Sequence, residues 1–164
     1  MTGVGDGAVV VEATDERPDD RAEAVDLDRW RALAAGVLAG EGVAGPAELH
    51  LAFLDEATMA TLNAEHLGGD GPTDVLSFPL DAEPDPVIDG PGPRLLGDVV
   101  ICPAVAARQA GATDGPAYEA ELALLVVHGV LHVLGMDHAE PDEQAAMVAR
   151  ERVHLAAVGL ERRP

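Results

Sequence analysis

The chain has 164 residues, with 30 acidic and 10 basic side chains and a formal net charge of −20. A length of this kind predicts one domain that buries roughly 70% of its unfolded surface, and 48% hydrophobic residues exclude global disorder. The charge excludes autonomous, non-specific nucleic-acid binding through a basic surface, and the single cysteine, Cys102, excludes an intramolecular disulfide.

Residues 1–25 form an acidic N-terminal segment with neither the basic start nor the long apolar core of a signal peptide. No stretch reaches the ~20 apolar residues of a membrane helix, so a cytoplasmic protein with no membrane partner is expected. Ala8 to Val11 is read as a short strand and Thr14 to Glu23 as a polar loop. Asp28 to Glu41 is rich in alanine and leucine, with Asp28 as N-cap and Gly40 and Gly42 as stops, hence a helix. Glu48 to Leu54 alternates, with Leu49, Leu51 and Phe53 on one face, as a strand does. Asp55 is placed to cap a short helix through about Leu62.

Asp74 to Phe78 predicts a further strand. Asp81 to Arg94, with four prolines, two glycines and four acids, predicts an irregular loop. Leu95 to Cys102 is the next strand, and Pro103 suits the first turn of a helix through about Gln109. Gly115-Pro116 opens the longest helix, to about Leu134, and its core from Leu122 is apolar on every face except at His128 and His132. A helix of that kind is buried. Pro141 starts a last helix to about Val158. The order β-α-β-α-β-β-α-α-α predicts an α+β fold over 1–164: a small mixed sheet of about four strands, about five helices, and a site at the end of the buried central helix.

That site rests on His128, His132 and His138. His128 and His132 lie one helical turn apart on one face, a spacing that lets two imidazoles hold one ion at about 2.0–2.1 Å. Gly135 lets the chain turn back so that His138 adds a third ligand, and an open fourth position would carry water with its pKa lowered to roughly 7. Satisfied core histidines are the plainer alternative, but several buried imidazoles without partners are costly. The pattern is similar to the zincin H-E-x-x-H motif with a downstream third histidine. The position of the zincin general base is Gly129, so peptide-bond hydrolysis loses its base while the metal centre remains.

Several segments in order resemble the YbeY family of bacterial endoribonucleases and rRNA maturation factors: H-G-V-L-H-V-L-G-M-D-H at His128 to His138, P-T-D-V-L-S-F-P at Pro72 to Pro79, L-G-D-V-V-I-C at Leu96 to Cys102, and E-P-D-E at Glu140 to Glu143. The resemblance covers about Glu48 to Glu143. It implies a zincin-like domain and a metal-dependent, single-strand-specific endoribonuclease acting in 16S rRNA 3′-end maturation and small-subunit quality control. His128, His132 and His138 carry over as ligands of one zinc ion, with nickel also suited to imidazole. It implies rRNA of the small subunit, a small-subunit ribosomal protein and an assembly GTPase as partners, and neither DNA nor a membrane. One departure is that many relatives carry an arginine in the loop before T-D-V-L-S-F. Here Asn63 to Gly71 holds no arginine or lysine, and His66 is its one side chain able to become a cation.

Supporting residues have two readings each. Asp137 either orients a ligand or accepts a proton, or else forms a turn. Thr73 and Asp74 are read first as turn caps, with Asp74 as an acid/base second. Ser77 and Phe78 fit a strand lining the cleft or simply pack. Asp98, inside an apolar strand, is expected to be buried and so to need partners. Cys102 is read as a small core residue. Two other functions compete with the nuclease: a ribosome-assembly binding factor with a structural metal, which the acidic surface favours, and a peptidase, which Gly129 disfavours.

Overall fold

The computed structural model describes residues 8–19, 21–80, 92–137 and 139–162. Four strands, β1 (Val9–Asp15), β2 (Ala47–Phe53), β3 (Val75–Pro79) and β4 (Arg94–Ile101), form one mixed sheet in the order β1-β2-β4-β3. β1, β2 and β4 run parallel, and β3 pairs antiparallel with β4. Five helices among the described residues complete the α+β fold: α1 (Leu27–Gly40), α2 (Glu56–Leu67), α3 (Pro103–Ala110), α4 (Gly115–Val133) and α5 (Pro141–Ala157). None is long and apolar enough to cross a membrane.

The element order agrees with the sequence reading, and several ends do not. β1 continues through Thr14 and Asp15 because parallel pairing with Ala52 and Phe53 holds them in the ladder. The cap of α1 is Asp26, whose carboxylate accepts the Arg29 amide at 3.2 Å, rather than Asp28. Asp55 caps α2 as expected, accepting the Thr58 amide at 2.8 Å. That helix runs past Leu62 to Leu67, where Gly68 at φ 68° supplies the left-handed residue that ends it. The expected loop over 81–94 lies outside the described residues as far as 91, and Arg94 already opens β4.

Strand alternation divides the interior into two. Leu49, Leu51 and Phe53 of β2, with Val99 and Ile101 of β4, face α1 and α4 in the main core. Ala52, Val100 and Leu76 point the other way and meet Met59 of α2 and Cys102 in a smaller cluster. α4 lies across the sheet beside β3 and β4, and at Gly129 the approach leaves no room for a side chain. A Cβ there would stand 2.5 Å from Val99 Cγ1 and 3.4 Å from the Ser77 hydroxyl. The Ser77 hydroxyl donates to the Gly129 carbonyl at 2.9 Å, fixing β3 to the helix at the turn that carries His128.

Candidate metal centre

His128 and His132 occupy the last turns of α4. Their rings are nearly parallel, 10° apart in plane and 6.3 Å between centroids. Both line a cleft of about 350 Å³ whose opposite wall is β3, through Val75, Ser77 and Phe78, and the end of α2, through His66 and Leu67.

The two rings are held by different acceptors at the same atom. His128 Nδ1 lies 2.6 Å from a carboxylate oxygen of Glu151, on α5. His132 Nδ1 lies 2.8 Å from the Met136 carbonyl. Neither partner can donate, so each Nδ1 carries the proton, which leaves Nε2 as the nitrogen either ring could offer to a metal. The Met136 carbonyl is in place because Gly135, at φ 103°, turns the chain at the end of α4, with the Met136 amide returning to the Leu131 carbonyl at 3.1 Å. This is the sharp departure that the sequence predicts at Gly135. The chain then runs through Asp137, which is exposed, to His138, which lies outside the described residues. Among the described residues no third His, Cys, Asp or Glu joins the pair in a metal-holding group.

Glu151 is the functional neighbour that the sequence reading misses. Its side chain is 2% exposed, and it also accepts from Arg162 Nε at 2.7 Å. Burial pushes its carboxyl up, but hydrogen bonds from His128 and Arg162, with the Arg162 charge, outweigh this and hold it below the ordinary glutamate range. A buried carboxylate with two donors is a fixed anchor for the His128 ring. The signal lay in the helix pattern. Met147, Glu151 and His154–Leu155 form the buried stripe of α5, and a glutamate inside such a stripe needs a partner.

The other named residues separate from the cleft. Asp98 is a correction: its side chain is half exposed and faces away from α4, 3.3 Å from His50 Nδ1. The reason is a register shift between Glu48 and Leu49 that places Gly97 opposite Leu49 and Asp98 opposite His50 on the open side of the sheet. Asp74 caps the start of β3, accepting the Val75 amide at 2.8 Å, and Thr73 sits beside it at 3.5 Å. Cys102 is fully buried in the smaller cluster, and burial pushes its thiol up. The acidic Glu140 to Glu143 stretch starts α5. Pro141 is in the first turn, and Glu143 accepts the Glu140 amide at 3.2 Å in a capping box. Gly129 has no room for the zincin glutamate, because a Cβ there would meet Val99, Val75 and Ser77 of the sheet.

A family model described as Endoribonuclease YbeY matches residues 16–159. A Salinispora tropica protein named Endoribonuclease YbeY is 49% identical over 141 residues, covering 81% of this chain and 88% of that one. A Nocardioides protein of the same name is 47% identical over 134 residues, covering 81% and 89%. The solution structure of a Thermotoga maritima protein superposes with a TM-score of 0.54 at 25% identity, covering 88% of this chain and 85% of that one.

Proposed function

Because the chain belongs to the YbeY endoribonuclease family, we propose that the cleft beside α4 cleaves single-stranded RNA with one divalent metal ion held by His128, His132 and His138. The observation that carries this reading is the pair of parallel imidazoles with both Nδ1 atoms committed to acceptors, on the wall of one cleft. Imidazole donors suit zinc, with nickel as the alternative. When bound, such an ion supplies Lewis acidity to a phosphoryl oxygen and lowers the pKa of water.

The chain's own groups do the rest. Glu151 and the Met136 carbonyl keep the two rings in the tautomer that offers Nε2. Asp137, exposed on the turn between His132 and His138, takes the nucleophile's proton on a carboxylate oxygen. Ser77 and Val75 shape the wall on which the scissile phosphodiester lies. The nucleophile is either water or the neighbouring 2′-hydroxyl, and the product ends tell them apart, since a cyclic phosphate marks the second route.

The biological substrate in this proposal is 16S rRNA at its 3′ end, in the cytoplasm, during maturation and quality control of the small subunit. A net charge of −20 favours action on a pre-ribosomal particle over bare RNA. There a basic small-subunit protein and an assembly GTPase supply the docking surface. The same charge supports the second reading, an assembly factor whose metal is structural. The two diverge on metal removal. A structural ion contributes folding free energy, so the apo chain unfolds; a catalytic ion leaves a folded chain without turnover.

The test is cleavage of a single-stranded oligoribonucleotide by purified protein before and after chelation, with circular dichroism of each sample. Loss of cleavage with an unchanged spectrum, restored by zinc, supports the nuclease. Unfolding on chelation supports the assembly factor. Cleavage that survives chelation contradicts both metal readings.

A further inference from the structure

The chain holds two phenylalanines, one tyrosine and one tryptophan. Trp30, Phe53 and Tyr118 are all within 2% of complete burial. Phe78 is different. It stands half-buried near the end of β3, and His66, an exposed residue in the last turn of α2, meets it edge to face with centroids 5.0 Å apart and planes at 67°. Both rings line the histidine cleft. Both also line a second cavity of about 540 Å³ on the open side of the sheet, with His50, Leu62, Asp98 and Val100. The aromatic pair is therefore the shared wall between the cleft and the open groove.

RNA binding by this chain lacks the usual electrostatic support. Among the described residues, seven arginines are ion-paired to carboxylates, and no arginine lines either cavity. Stacking is the sequence-tolerant contact that needs no net positive charge, because every base has a π face. Only an unpaired base offers that face to a protein ring.

We propose that His66, held edge-on by Phe78, is the stacking subsite for an unpaired base next to the scissile phosphate. This rests on the reading of the histidine cleft as the RNA-cleaving site. The subsite gives the enzyme its preference for single strands.

The test uses metal-loaded protein and a uridine-rich oligoribonucleotide with one 2-aminopurine, mixed in stopped flow, alongside steady-state cleavage of a single-stranded and a hairpin substrate. Wild type is expected to quench 2-aminopurine on binding. His66→Ala is expected to lose that quenching, to raise KM at least about fivefold by more than it lowers kcat, and to narrow the single-strand preference. His66→Phe restores all three. Phe78→Leu, whose ring also packs on the smaller cluster, is expected to weaken quenching only in part.

Unchanged quenching, KM and strand preference in His66→Ala overturn the subsite. So does cleavage by a wild type that never quenches, and in that case the catalytic reading stands. Quenching that depends on His66, in a wild type that cleaves nothing, leaves the subsite and overturns the catalytic reading.

Discussion

Two histidine–carboxylate pairs meet on α5, and they do different work. His128 on α4 pairs with Glu151 at 2.6 Å; His154 on α5 pairs with Glu41, the residue after α1, at 2.5 Å. Both carboxyls are pushed up by burial and then held below the ordinary glutamate range by their donors. The surroundings separate them. His154 is 6% exposed and presses on Gly40, where a Cβ would stand 2.7 Å from its Cε1, and Arg150 joins the same carboxylate. That cluster clamps α1 to α5. His128 instead keeps 29% of its side chain exposed, on a cleft, one turn from a second parallel imidazole. A carboxylate partner fixes a histidine ring in either place, and what makes a candidate site is the open wall and the second ring.

The two pairs differ most in what the neighbouring His132 adds. His132→Ala leaves the carboxylate pairs intact, so it is expected to stay folded by circular dichroism while losing its metal and all RNA cleavage above background. Next is Glu151→Gln. A neutral amide oxygen holds the His128 ring more weakly than the carboxylate does, and metal affinity is expected to fall about 10–100-fold, measured by competition with a zinc chelator. Retained affinity would show that the anchor at Nδ1 does not matter to the site.

Gly129→Ala probes the close approach that sets the cleft's width. The added Cβ meets Val99 Cγ1 at 2.5 Å, and overpacking of this kind costs about 1–3 kcal/mol, read from the denaturation midpoint. The smallest effect belongs to the clamp. Glu41→Gln is expected to cost about 1 kcal/mol, with metal content and cleavage as in wild type. The Glu41 carboxyl titrates below its ordinary value, so its contribution is full above that value and is lost as pH falls through the folded-state value. The melting gap between wild type and Glu41→Gln should therefore hold from neutral pH down to the ordinary glutamate value and close only as pH falls below it.

The order of elements was legible because each carries a local signal. Asp55 and Gly68 bracket α2, Pro103 and Pro141 open α3 and α5, and the apolar run of α4 marks its burial. Which strands run parallel was not legible, since pairing depends on contacts far apart in the chain. Asp98 shows the consequence. In sequence it interrupts an apolar strand and reads as buried, but a register shift opposite Glu48 and Leu49 puts it on the open face with His50. The histidine motif was legible from its spacing, and the turn at Gly135 gives that spacing its geometry. For Glu151 the buried stripe of α5 signals that a partner is needed, but which partner was not legible, because His128 lies 23 residues away on another helix. His66 and Phe78 belong to different elements, and only the fold brings their rings together.

The most direct measurement is elemental analysis of untagged protein purified without added metal, beside His132→Ala. One zinc ion per wild-type chain, or nickel in its place, is expected, and none in the variant. A folded wild-type chain with no metal, or a variant that keeps its full metal content, would contradict the three-histidine centre and leave His128 and His132 as packing residues like His154.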